Sequence, residues 1–182
     1  MKRKLSVDGL TLRPLVARDA GELFLLCDQH RTVLRRTMTW VDKTMAIADM
    51  SFYIASLDGF WKTGLTYGIL EDETLIGTVG FHETVMRNRK TEIGYWLAPP
   101  YHGRGIATRA IKCAIDAAFL YTDINRIQAK IQPTNLASLK VIKKLGFSYE
   151  GLEREGVKTK DSYWDHKVFS LLRGDLGPSE PL

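Results

Sequence analysis

Glu92-Ile93-Gly94-Tyr95-Trp96-Leu97-Ala98-Pro99-Pro100-Tyr101-His102-Gly103-Arg104-Gly105-Ile106-Ala107-Thr108 reads as a strand, a stop, a glycine-bearing turn and the start of a helix. Ile93, Tyr95 and Leu97 alternate with Glu92, Gly94 and Trp96, and aromatic residues suit a pleated surface. Pro99 and Pro100 end the strand, because neither has an N–H to give a ladder. Ile111, Ile115 and Phe119 then recur at helical spacing among Ala107, Ala110, Ala114 and Ala118. Arg109, Lys112 and Asp116 supply the polar face of that helix.

A helix that begins after Gly105 offers backbone N–H groups without intrahelical acceptors, at the positive end of its dipole. Gly103 and Gly105 carry no Cβ, so an anion can come close to the main chain, and Arg104 adds a mobile positive charge. On the turn alone two readings stand: a cradle for a pyrophosphate, and an ordinary tight turn whose glycines serve geometry. A Walker A loop is excluded, since no Gly-Lys-Ser/Thr follows. A dinucleotide fingerprint is excluded too, since the third glycine is missing.

Working outward, the 182 residues suit one domain over 1–176 and a disordered tail over 177–182. Hydrophobic content of 45% and charged content of 26% are globular values. No apolar run reaches the ~20 residues of a membrane helix. Met1-Lys2-Arg3-Lys4 is basic without a following apolar stretch, which argues against a secretory signal. Cys27 and Cys113 are too few for a disulfide framework, so the expectation is a cytoplasmic protein with reduced thiols. A net charge of +5 suits a polyanionic cofactor or an acidic partner. With no nucleic-acid-binding motif present, a basic surface kept for solubility outranks a nucleic-acid site.

Leu10–Leu15 alternates and meets Pro14, which predicts a first strand. Asp19 with Glu22 three residues on predicts a capping box for a helix carrying Leu23, Phe24, Leu26 and Cys27 inward. A short helix follows around Gln29–Arg36, with Arg31 and Arg35 on one face, either solvated or aimed at an acidic substrate. Trp40 is central to a loop, as a core anchor or the lining of a substrate mouth. A long helix is expected from Thr44 to Trp61. Strands at Leu65–Leu70 and Thr74–Phe81, joined by Glu71-Asp72-Glu73, form a hairpin, and four consecutive strands an antiparallel meander. His82 and Glu83 are expected to end the third of them.

Arg126–Gln132 alternates and stops at Pro133, so the chain from Glu92 to Gln132 makes one βαβ crossover with parallel strands four and five. Thr134 or Asn135 starts the next helix, which ends at Gly146 after Lys143-Lys144. Strands from Phe147 and over Tyr163–Leu172 complete an α/β fold: a mixed, mostly antiparallel sheet of about seven strands, splayed between strands four and five, with helices on both faces. Strands that part there leave backbone groups free for an extended amide chain, and pantetheine is such a chain.

Strand, His102-Gly103-Arg104-Gly105-Ile106-Ala107, helix, strand, Asn135-x-x-Ser138 and Lys144-Leu145-Gly146-Phe147, in that order, resemble the GNAT superfamily of acetyl-CoA-dependent N-acetyltransferases. Glu92–Leu97, Asn135–Ser138, Leu34 and Trp40-Val41 resemble its RimL/RimJ branch, which acetylates ribosomal-protein N-termini, and the likeness covers roughly residues 9 to 172. His102 departs from the family's Gln/Arg at its position, and protonation of its ring would make cofactor affinity mildly pH-dependent. The resemblance implies acetyl-CoA as co-substrate, held by Trp96, Leu97, Ala98, His102, Gly103, Arg104, Gly105, Ile106, Ala107, Thr108, Asn135 and Ser138. It implies a strand-four amide near Trp96-Leu97 for the oxyanion and Ser138 for the departing thiolate, with direct attack by the amine and no covalent enzyme intermediate.

Glu92 is the first choice of base, with pairing to a neighbouring Lys or Arg as its structural alternative; His82 and Glu83 are second choices. The branch's glutamate after strand six aligns with Val157, with Glu155 nearby, so that role does not transfer. Arg31, Trp40, His82 and Tyr163 are candidate acceptor-binding residues. His30, His82, His102 and His166 are dispersed, which argues against a metal. The leading acceptor is a protein or peptide N-terminal amine. A small amine (polyamine, amino acid or antibiotic) and a non-catalytic CoA-binding or partner-binding module are the rivals, and a homodimer is left open.

Overall fold

The computed structural model describes residues 4–59 and 66–176. Trp61, Leu65 and the tail over 177–182, all parts of the expectations above, lie outside the described residues. The strands are β1 (Leu5–Val7), β2 (Leu10–Pro14), β3 (Thr66–Glu71), β4 (Thr74–Val85), β5 (Lys90–Leu97), β6 (Arg126–Ile131), β7 (Ser148–Lys158) and β8 (Tyr163–Leu172). The helices are α1 (Ala20–Gln29), α2 (Arg31–Leu34), α3 (Ile47–Gly59), α4 (Ile106–Tyr121) and α5 (Leu136–Lys144). The sheet order is β1-β2-β3-β4-β5-β6-β8-β7. Only the β5–β6 pair is parallel among those whose register is resolved, as the βαβ expectation requires. Among the described residues eight strands stand where about seven are expected. The addition is β1, folded onto β2 through the left-handed Asp8-Gly9 turn.

Chain contacts define two compact units: Met1–Gly80 with Tyr95–Ala114, and Phe81–Gly94 with Ile115–Leu182. The core of the first joins Leu15, Leu23, Cys27, Leu34, Val41, Met50, Ile54, Leu70, Leu75 and Trp96. Asp72 and Glu73, both left-handed, make a two-residue turn between β3 and β4, tighter than the three-residue link expected. The capping box at Asp19 does not form. Asp19 is buried and its carboxylate takes both Arg13 guanidinium nitrogens, at 2.7 and 2.8 Å, and the Val16 amide at 2.8 Å. Glu22 instead accepts from the Leu75 amide at 3.0 Å. A buried carboxylate needs a cation more than a helix end needs a cap, and Arg13 is the stronger partner.

One close approach fixes the end of β5. The Ala98 amide donates to the Ile76 carbonyl at 2.9 Å. Between them the main chains are so near that a Cβ on Gly77 would lie 2.2 Å from the Trp96 oxygen and 2.8 Å from Leu97 Cα.

In the second unit, β6 buries Ile127, Ala129 and Ile131 and turns Arg126, Gln128 and Lys130 the other way. Its parallel ladder with β5 spans Lys90↔Arg126, Thr91↔Ile127 and Glu92↔Gln128, while β6 pairs with β8 as far as Ile131↔Lys167. His82 and Glu83 do not end their strand: β4 runs on to Val85, with Glu83 in a left-handed conformation. Arg173 accepts the role of a C-terminal cap for α4, donating to the carbonyls of Phe119, Thr122 and Ile124.

Because backbone rather than a movable side chain faces Gly77, Gly77→Ala is expected to cost more than about 2 kcal/mol in urea unfolding. Gly21→Ala, with open space around it in α1, should change stability by less than about 1 kcal/mol. Equal effects at the two positions would contradict the close-approach account.

Candidate active site

In the first unit, β5 ends at Leu97 and a single helical turn, Pro99–Tyr101, leads to His102. His102 Nε2 is 2.8 Å from the Leu97 carbonyl, so the ring braces the loop against the strand it leaves. Gly103 and Gly105 have φ of 75° and 73°, a region in which L side chains are strained. A Cβ at Gly103 would meet nothing within 4 Å, and one at Gly105 would meet only Arg109 Nη1, at 4.0 Å. The turn is therefore open on its outer side and shaped by backbone conformation rather than by crowding. The first-turn amides of α4, which starts at Ile106, have no intrahelical acceptors. Arg104 is held in a two-pronged pair with Glu71, at 2.8 and 3.0 Å, and lies 5.7 Å from the Tyr101 ring centroid. Open amides, a helix dipole and a guanidinium fit a diphosphate group in this turn.

Trp96, Leu97 and Ala98 are buried. The Trp96 ring stands 5.9 Å from that of Trp40, which packs on the core as an anchor. The Arg31 guanidinium is taken up by Asp28 at 2.9 Å and by the carbonyls of Val41 and Thr44, and Arg35 by Asp42.

In the second unit, Glu92 lies on β5 with its side chain 15% exposed. Lys130 Nζ is 3.9 Å from Glu92 Oε2, an atom that is buried and has no hydrogen-bond partner. Burial pushes the Glu92 carboxyl up to about 7; Lys130 opposes this, and Glu83 and Glu153 add to it. The Glu92–Lys130 contact is the ion pair weighed above as the structural alternative, but it is long, and the same ammonium lies 3.1 Å from Glu153 Oε2. A Cβ on Gly94 would come within 2.9 Å of His82 Nε2, so the His82 ring covers Gly94. The packing around His82 lowers its pKa from the ordinary value, against Glu83 and with Lys130, although its side chain keeps contact with solvent. Asn135 caps α5: its Oδ1 accepts from the Ser138 amide at 3.1 Å, which fixes Ser138 in the first turn. Tyr163, at the start of β8, is 54% exposed.

Lys130 and Glu153 were not among the residues singled out from the sequence. The signal available was the polar alternation Arg126, Gln128, Lys130 on a strand flanked by buried partners. No group of three or more His, Cys, Asp or Glu among the described residues is placed to hold a metal, and no described helix is long and apolar enough to cross a membrane.

Residues 9–148 match the family described as "Acetyltransferase (GNAT) domain". An uncharacterized N-acetyltransferase, p20, of Bacillus licheniformis is 39% identical over 171 residues, covering 93% of this chain and 96% of the relative. A putative ribosomal N-acetyltransferase, YdaF, of Bacillus subtilis is 31% identical over 172 residues, covering 91% and 92%. The solved structure of Mycobacterium smegmatis RimJ in complex with CoA-disulfide superposes with a TM-score of 0.85 at 26% identity, over 98% of this chain and 90% of that one.

The raised Glu92 carboxyl carries a sign for stability. Its pKa in the folded chain, about 7, exceeds the ordinary 4.5, so the folded state holds the proton longer and stability falls as pH rises between the two values. Glu92→Gln should therefore raise Tm at pH 8, by the equivalent of up to about 3 kcal/mol, with the gain shrinking toward pH 5. A gain that does not change with pH would contradict the buried-carboxylate account.

Proposed function

The chain belongs to the GNAT acetyltransferase family and is an acetyl-CoA-dependent N-acetyltransferase, and from that premise we propose that its acceptor is the N-terminal α-amine of a protein or peptide. The observation that supports this reading is the Glu92 carboxylate itself, 15% exposed on β5 with Oε2 buried and unpartnered and Lys130 Nζ no nearer than 3.9 Å, a setting that pushes its pKa up to about 7. A base of that strength is matched to a peptide α-ammonium of pKa ~8, whereas a lysine-like amine of ~10.4 holds its proton about two units harder. The relative named as a putative ribosomal N-acetyltransferase supports the same acceptor class.

Bound acetyl-CoA supplies the acetyl thioester. The amides of Gly103–Ala107 and the Arg104 guanidinium bind its diphosphate, and the backbone near Trp96-Leu97 donates to the developing oxyanion. Glu92, as a carboxylate, takes a proton from the acceptor ammonium, directly or through one water. Ser138, held by the Asn135 cap, gives the departing thiolate a proton or a hydrogen bond. His82 and Tyr163 are the acceptor-side residues of this reading. Arg31 and Trp40 serve the acceptor only indirectly, by shaping the α2–α3 region whose backbone and core they hold. Neither Cys27 nor Cys113 forms a disulfide, which agrees with a cytoplasmic setting.

A second reading is favoured by one feature. Glu83, Glu92 and Glu153 outnumber Lys130 around the candidate base, and an excess of carboxylates attracts a small polycation such as a polyamine.

Thiol release from acetyl-CoA, measured with free-N-terminus peptides, N-terminally blocked peptides, polyamines and amino acids, separates the two. The expected result is highest kcat/KM for free-N-terminus peptides and none for blocked ones without lysine. Faster turnover of polyamines would establish the second reading instead. Ser138→Ala should lower kcat by at least tenfold with little change in CoA affinity; an equal loss in both would remove the role given to Ser138.

A further inference from the structure

Lys130 stands where carboxylates compete for one cation. The β6–β8 register sets Val168 opposite Lys130, and the β7–β8 register sets Glu153 opposite His166, two residues before Val168. Side chains of opposed residues share a face, so Lys130, His166 and Glu153 lie on the same side of the sheet. Lys130 Nζ is 3.1 and 3.2 Å from the two Glu153 oxygens and 3.9 Å from Glu92 Oε2. The ammonium is thus bonded to the carboxylate of β7 and stops short of bonding the one on β5.

The fold holds Glu153 in that place. Between Glu153 and Val157, β7 carries four residue steps against two on β8, from His166 to Trp164. This bulge contains left-handed Glu155, whose amide donates to Asp165 at 2.8 Å, and Gly156. A Cβ on Gly156 would lie 2.8 Å from the Glu153 carboxyl carbon, so the bulge brings bare backbone against that carboxylate. Bulges re-aim side chains in this way. Lysine suits the shared position, because a compact ammonium with three donors can turn between two acceptors, whereas a guanidinium fork commits to one.

We propose that Lys130 is a positioning residue, anchored by Glu153 and offered to Glu92, that sets how readily Glu92 takes up and releases the acceptor's proton. The proposal rests on the reading of Glu92 as the base. Lys130 keeps its own proton throughout: burial opposes its charge, but the Glu153 hydrogen bond and the charges of Glu92, Glu153 and Glu83 outweigh burial and raise its pKa. The proton leaves the acceptor ammonium, rests on Glu92 and passes to solvent, while the Lys130 charge remains as the fixed counter-charge. Glu83 on β4 and Glu153 on β7 act on Glu92 directly, while His82 on β4 and His166 on β8 feel the Lys130 charge. Burial lowers the pKa of His166, with Glu153 opposing and Lys130 assisting, which keeps a further cation out of the cluster at neutral pH. Glu153 therefore acts twice on Glu92, through its own negative charge and by drawing Lys130 away.

Opposite charge changes at the two neighbours must move Glu92 in opposite directions, which a merely structural role would not produce. The test is the acid limb of kcat/KM against pH for acetyl transfer to a peptide amine, with carbon-13 NMR titration of the Glu92 carboxyl in the same variants. Lys130→Met should move the limb and the titration up by roughly one pH unit, Glu153→Gln should move both down, and Lys130→Arg, which returns the charge but commits its fork to one carboxylate, should restore only part of the wild-type position. Unmoved midpoints, or shifts of one sign in both charge-removing variants, would overturn the proposal. A Glu92→Gln enzyme that keeps the wild-type acid limb would overturn the reading of Glu92 as base. The NMR midpoints of Glu92 in the other variants would then still decide the coupling to Lys130 and Glu153.

Discussion

The structure of the turn between β5 and α4 depends on the contact of two main chains at Gly77. A side chain there would strike the Trp96 carbonyl, and its absence lets the Ala98 amide reach Ile76. That bond sets the last residue of β5, and with it the place where Pro99-Pro100 turns the chain away. His102 then braces the Leu97 carbonyl, and two left-handed glycines deliver the chain to Ile106, where α4 starts with first-turn amides that have no intrahelical acceptors. The sequence of causes is steric at its origin and electrostatic at its end.

The second unit works by the opposite principle. It places charge where packing alone would exclude it. A carboxylate 15% exposed beside a lysine that is more firmly bound to another carboxylate is a poor arrangement for stability, since a buried ion pair offsets its desolvation only with good geometry. Such an arrangement is suited to a group that must gain and lose a proton near neutral pH. Asp19 makes the contrast within the same chain: there both guanidinium nitrogens of Arg13 and a backbone amide surround the carboxylate, and its pKa falls in spite of burial. One carboxylate is fully partnered and structural; the other is left short of partners.

Much of this was legible in the sequence because the decisive signals are local. Alternation over Glu92–Leu97, the proline pair, the spaced glycines and the four-residue period of Ile111, Ile115 and Phe119 each act within one or two turns of chain, and together they specify the crossover. The Asn135 cap is local as well. The Asp8-Gly9 dipeptide is an equally local sign of the β1–β2 hairpin, but the strand it adds is only three residues long, too short for alternation to mark it. What was not legible depends on partners distant in sequence. Asp19 beside Glu22 satisfies the pattern of a capping box, yet Arg13 and the Leu75 amide take the two carboxylates. Arg31 presents an apparent binding face until the Val41 and Thr44 carbonyls arrive to occupy it. Lys130 meets Glu153 across 23 residues through a bulge that no short window reveals.

The proposed chemistry stands on main-chain amides at the start of α4, beside Gly103 and Gly105, holding the diphosphate of acetyl-CoA. The direct measurement is an amide NMR titration of the whole chain with CoA and, separately, with pantetheine, which lacks the nucleotide diphosphate. CoA is expected to displace the Gly103, Gly105, Ile106 and Ala107 amide signals most strongly, and pantetheine to leave them nearly in place. Tight CoA binding with those four amides unmoved would contradict that role for the turn.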